Sequence, residues 1–123
     1  MNQTLTDRES DVMHVLWDHG PSVVAEVRER LEDPLAYTTV LTVLRILESK
    51  GFVGHTEEGR GHRYFAKVEQ MAAQKSALRH LTDKLFRGSS ELLLTHMVRE
   101  QLSPEQIRRL RKLLATKSPK GSR

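Results

Sequence analysis

Apolar residues recur at helical spacing in three successive stretches at the front of the chain. In "LTDRESDVMHVLWDHG" the stripe is Val12, Met13, Leu16 and Trp17. Thr6 opens it with Glu9 three residues on, a capping box, and Gly20-Pro21 closes it. In "VAEVRERLE" the stripe is Val24, Val27 and Leu31, and Pro34 stops the helix. A third helix, roughly Tyr37 to Lys50, carries Val40, Val43, Leu44 and Leu47 at i, i+3, i+4 and i+7, with Gly51 placed to turn left-handed at its end. The period then drops to two: "FVGHTE", "EGRG" and "HRYFAKV" read as strand, glycine-bearing turn and strand. From Glu69 the helical period returns. Met71, Leu78, Leu81 and Leu85 mark a fourth helix ended by Gly88, and Leu92, Leu93, Met97 and Val98 mark a fifth. "SPEQIRRLRKLL" opens a sixth, with Ser103 as cap, Pro104 in the first turn and Gln106 closing the box; Ile107, Leu110 and Leu114 are its stripe.

These elements predict a mainly α chain with a small β-hairpin. Residues 1–68 form a winged helix-turn-helix: the second and third helices are the pair and the hairpin is the wing. Residues 69–116 form a C-terminal helical domain, and 117–123, basic and containing Ser, Pro and Gly, are expected to be disordered. The leucine-rich back part is too short to bury much surface alone. Its apolar positions, Leu78, Leu81, Leu85, Leu92, Leu93, Met97, Ile107, Leu110 and Leu114, are therefore expected to pair with a second copy. Packing of the same leucines on the front domain is the alternative.

Charge sharpens this division. Residues 1–67 hold 8 Lys/Arg against 11 Asp/Glu, net −3, whereas residues 68–123 hold 12 against 5, net +7. The overall +4 is thus weak evidence for a nucleic-acid partner. The longest strongly apolar run is Leu92-Leu93-Leu94, too short to span a bilayer. The polar sequence after Met1 carries no signal-peptide pattern, so a cytoplasmic location is expected, and the absence of cysteine fits a reducing compartment. No two of the six histidines stand at i, i+4 on a helix and no HExxH motif occurs, so no metal site is expected. With no phosphate-binding glycine loop and no nucleophile elbow, neither a cofactor nor an enzymatic activity is expected.

The informative feature is the second face of the third helix. Thr38, Leu41, Thr42 and Arg45 share the spacing of a stripe beside the core stripe, where a solvated face usually carries long, hydrated Lys and Glu. A helix entering the major groove needs short side chains where backbones approach and a few groups that reach base edges. The threonines supply hydroxyls and methyls, Leu41 an apolar contact, and Arg45 a guanidinium for guanine or phosphate. Tyr37, at the helix N-terminus, is placed for a phosphate. In the wing, Arg60, His62 and Arg63 lie at or beside the turn, within reach of flanking backbone or minor groove. The partner this predicts is double-stranded DNA. A protein-docking winged helix and a small-molecule-responsive regulator are the alternatives.

The segments "LTDRESDVMHVLW", "AYTTVLTVLRILESKGFVGHTEEGRGHRYF" and "KLFRGSSELLLTHMVREQLSPEQIRRLRKLL" resemble the penicillinase repressor (BlaI/MecI) family of bacterial winged-helix regulators, over nearly the whole chain. The resemblance implies a homodimer that represses by binding an inverted-repeat operator, with control of β-lactamase or related antibiotic-resistance genes. It implies release after proteolysis in the C-terminal domain, triggered by a membrane sensor-protease. By position it makes Tyr37, Thr38, Thr39, Leu41, Thr42 and Arg45 the recognition-helix residues. Two positions depart from the family pattern. Ala36-Tyr37 stands where some members have serine-proline, and loss of a serine cap costs about 1 kcal/mol. Thr95-His96 stands where the best-known members are cut at an Asn-Phe bond. The C-terminal cysteines of the copper-responsive branch are missing.

Overall fold

The computed structural model describes residues 4–121, with side chains through Thr116. The element order is α1 (Asp7–His19), β1 (Ser22–Val23), α2 (Val24–Arg30), α3 (Tyr37–Lys50), β2 (Val53–Glu58), β3 (Gly61–Ala66), α4 (Gln70–Leu85), α5 (Ser90–Glu100) and α6 (Pro104–Gly121). The chain forms two compact units that divide between Leu78 and Arg79, inside α4, rather than at the expected 68/69.

In the first unit the helix ends are made as the sequence predicts. Glu9 N–H donates to Thr6 Oγ1 at 3.2 Å and Thr6 N–H donates to Glu9 Oε1 at 2.9 Å, so the capping box is complete. Gly51 ends α3 with φ 88° and donates to Glu48 and Leu47 carbonyls. The predicted stripes converge: Val12, Met13, Leu16, Val27, Val40, Leu44, Leu47, Val53 and Tyr64 are all buried in one cluster. Each such aliphatic side chain contributes about 1.5–3 kcal/mol of burial, so α3 is anchored through one face alone. Trp17 is half-buried at the edge of this core and donates its indole N–H to the Val68 carbonyl at 2.9 Å.

The sheet has three strands in the order β1-β3-β2, all antiparallel. The hairpin was legible, but β1 was not. It consists of Ser22 and Val23, opposite Tyr64 and Arg63, and two residues leave no periodicity to read. At the wing tip Glu58 pairs with Gly61, leaving a two-residue loop of Gly59 and Arg60. Gly59 has φ 60° at the first central position, which a type II′ turn reserves for glycine.

An ion pair ties the start of α1 to the end of α3. Lys50 Nζ lies 2.8 Å from Glu9 Oε1 and 3.0 Å from Oε2, with Glu9 almost fully buried. Burial pushes the Glu9 carboxyl up, but hydrogen bonds from Lys50 and Thr6 outweigh it and the net shift is downward. The pair's contribution is thus present above the unfolded carboxyl pKa and lost as pH falls through the lower folded value. Lys50→Met leaves the carboxylate partnered by Thr6 alone. It lowers stability by about 1 kcal/mol at neutral pH, and the deficit shrinks on acidification because protonated Glu9 tolerates burial. Urea midpoints of the two proteins at pH 7 and below pH 4 check this; an equal gap at both would assign the loss to packing.

The second unit looks different. Ser103 and Gln106 form the predicted box, with Gln106 N–H donating to Ser103 Oγ at 3.1 Å and Ser103 N–H to Gln106 Oε1 at 2.9 Å. Ser89 caps α5 by accepting from Leu92 N–H at 3.0 Å. Yet among the described residues from 79 to 116 only Thr82 is buried. Leu81, Leu85, Leu92 and Leu114 are exposed, Leu85 at 70%, while Leu93, Met97, Ile107 and Leu110 are half-buried. Leu94, Val98 and Leu113 are exposed as well and were not anticipated as interface residues. The backbone of α6 continues to Gly121, past the expected boundary at 116. The backbone at 117–121, within the tail expected to be disordered, is helical. Residues 122–123 lie outside the described residues.

Candidate nucleic-acid interface

The core stripe of α3 faces inward, so the opposite side is presented outward by the fold. Tyr37, Thr38, Thr42, Arg45, Ile46 and Ser49 are all exposed, Tyr37 at 47% and Ile46 at 42%. Thr38, Thr42, Arg45 and Ser49 follow i, i+4, i+7 and i+11 and form one ridge. Ala36 caps the helix with no side-chain hydrogen bond, and the first turn holds no acidic residue. The leading N–H groups of α3 are thus left for an anion or water. Arg28 on α2 braces the connection into α3, donating from Nε to the Leu35 carbonyl at 2.8 Å.

Two expected helix residues sit differently. Leu41 is half-buried and packs on the core cluster, because its direction lies between the ridge and the core stripe. Thr39 is half-buried on the other flank. Ile46 and Ser49 were missed, although continuing the Thr42 and Arg45 spacing by one turn finds both. Arg45 lies beside the Tyr64 hydroxyl. Burial, with Glu48 nearby, pushes the Tyr64 phenol up, and Arg45 opposes that shift.

The wing residues divide three ways. Arg60, in the turn, is exposed, and no hydrogen bond or ion pair engages it among the described residues. Arg63 is held within the protein: its guanidinium reaches Glu58 Oε1 at 2.8 and 3.0 Å, Glu26 Oε1 at 3.3 Å and the Pro21 carbonyl at 3.1 Å. Its hydrogen bond to Glu58 is the first cause of its raised pKa. Arg63 therefore joins the wing to the start of α2, where Glu26 also accepts from Val23 N–H at 3.1 Å. Arg63 sits opposite β1, the strand the sequence concealed, which is why this role was not foreseen. His62 is half-buried and stacked on His55.

Described residues contain no cluster of three or more His, Cys, Asp or Glu able to hold a metal, and no described helix is long and apolar enough to cross a membrane. Against solved structures, the chain is similar to hsRosR-S4 in a complex (TM-score 0.57, 15% identity, covering 96% of this chain and 93% of that one). It is also similar to a MarR family protein from Bacillus stearothermophilus (TM-score 0.52, 16% identity, covering 99% and 79%). At those identities the likeness establishes the fold. Among curated proteins it is 36% identical over 118 residues to the transcriptional regulator BlaI of Mycobacterium tuberculosis, covering 90% of this chain and 83% of that one. It is 26% identical over 113 residues to the penicillinase repressor of Bacillus licheniformis, covering 89% and 88%. The family model described as penicillinase repressor matches residues 5–116. On a match of that extent, the chain belongs to the penicillinase repressor family of transcriptional repressors.

Proposed function

We propose that the chain is a homodimeric repressor that reads an inverted-repeat operator with α3 and blocks transcription of β-lactamase or related genes. The observation that carries the reading is the outward ridge of Thr38, Thr42 and Arg45, backed by a fully packed face and headed by uncapped N–H groups. Hydroxyls and N–H groups suit phosphates, and the guanidinium, with the threonine methyls and Ile46, suits base edges. Arg60 extends the contact to the flanking backbone.

The second unit supports pairing. It buries almost nothing by itself, and on α6 the apolar side, Ile107, Leu110 and Leu114, lies away from Arg108, Arg109 and Lys112, with Arg111 at its edge. Covering the apolar side with a second copy leaves the basic side in water. A two-fold dimer sets two recognition helices one turn of DNA apart, about 34 Å. The names of the relatives, penicillinase repressor and methicillin resistance regulatory protein, support the choice of target genes.

Proteolytic release by a membrane sensor-protease is assigned by position to the Thr95–His96 bond. Both residues are exposed on α5, a helix with no buried residue, so local opening there is cheap. Cleavage at this bond in derepressed cells would support that route despite the departure from Asn-Phe, and an uncut chain would place induction elsewhere.

Gel-shift with the DNA upstream of the chain's own reading frame tests the central assignment. A discrete complex is expected, weakening with salt by about 0.9 log units per decade for each phosphate neutralised. No complex at low salt would remove the reading.

A further inference from the structure

His55 and His62 stand on one face of the β2–β3 ladder, on the diagonal, since His55 lies opposite Tyr64 and His62 opposite Glu57. Their rings are stacked, with centroids 4.0 Å apart and planes 11° from parallel. His55 Nδ1 lies 2.9 and 2.8 Å from the two carboxylate oxygens of Glu48 on α3, so this nitrogen carries the proton the carboxylate accepts. Three side chains thus run as a column from the recognition helix to the wing. The other ionisable groups facing it are Arg45 and Tyr64 on the α3 side, Glu57 across the ladder from His62, and Arg60 in the adjoining turn.

We propose that Glu48 and His55 are positioning residues that set His62 at the DNA side of the wing, and that DNA binding takes up a proton on this column. The inference rests on the DNA-binding reading above. An imidazolium at His62 stands 4.0 Å from the His55 ring, whose own partner is Glu48. A DNA phosphate is the counter-charge that offsets it, so uptake of one proton on binding makes affinity rise as pH falls, by up to about tenfold per pH unit.

The test is fluorescence anisotropy of the full chain on a labelled duplex of its own upstream DNA, at pH 6 and pH 8 and fixed ionic strength. The native protein binds about tenfold tighter at pH 6. His62→Gln abolishes this ratio with an unchanged melting temperature. His62→Lys, permanently charged, binds at pH 8 at least as tightly as the native protein at pH 6. Glu48→Gln weakens binding at both values and reduces the ratio. His14→Gln combined with His19→Gln leaves the ratio intact, which excludes a general histidine effect. Tight binding with no pH dependence, or a His62→Gln variant that keeps the full ratio, overturns this inference while leaving the DNA-binding reading in place. Absence of binding at both pH values overturns both.

Discussion

Leu81→Asp is expected to convert the proposed dimer to monomers and to lower affinity for upstream DNA by about 10²–10⁴-fold. Leu81 is 41% exposed within its own chain, so the charge costs the monomer little. In a dimer the same carboxylate would be buried in an apolar seam without a partner, which is prohibitive. The large effect on DNA comes from tethering. Two linked recognition helices convert the second half-site contact into an intramolecular event, and unlinking them forfeits that gain without touching a single DNA contact. Leu110→Asp should act alike, but Leu110 is half-buried, so part of its effect will be on folding. Sedimentation and gel-shift on the same samples decide the matter. A monomer that binds as tightly as the native protein refutes the coupling.

Arg45→Ala is expected to cost about 1–3 kcal/mol of operator affinity if the guanidinium reads a base pair. Its exposure means that the melting temperature should barely change. The pattern of loss across sequence variants is more informative than its size. A base contact relaxes preference at one position of each half-site, whereas a phosphate contact weakens all sequences equally and flattens the salt slope by about 0.9. The adjacent Tyr64 hydroxyl restricts where the guanidinium can reach, so Tyr64→Phe should produce a weaker version of the same phenotype with little loss of stability.

Much of this was legible in the sequence, and the parts that were not share a cause. Apolar periodicity located the six helices among the described residues and the hairpin, because each repeats an apolar face; in α1–α3 that face is buried, whereas in α4–α6 it is largely exposed. Caps were readable where the chemistry is local: Thr6 with Glu9, and Ser103 with Gln106, close over three residues. The strand β1 escaped because two residues carry no period, and its partner lies some forty positions away (Ser22 to Tyr64). For the same reason Arg63 read as a free wing cation, although Glu26 and Pro21 hold it from a distant part of the chain. Leu41 lies between two stripes, and spacing alone does not say which neighbour covers it. Ile46 is apolar by type yet exposed, because it lies off the core stripe. The His55–His62 stack depends on strand register, which no local pattern specifies.

The most direct test of the α3 assignment is base-level footprinting of the upstream DNA with the native protein and with the combined variant Thr38→Ala, Thr42→Ala, Arg45→Ala. The native dimer should protect two major-groove patches centred about 10 base pairs apart, or a multiple of that spacing. The variant should remain folded and dimeric and protect neither. A triple variant that leaves the same footprint, or native protein that leaves none, contradicts the account.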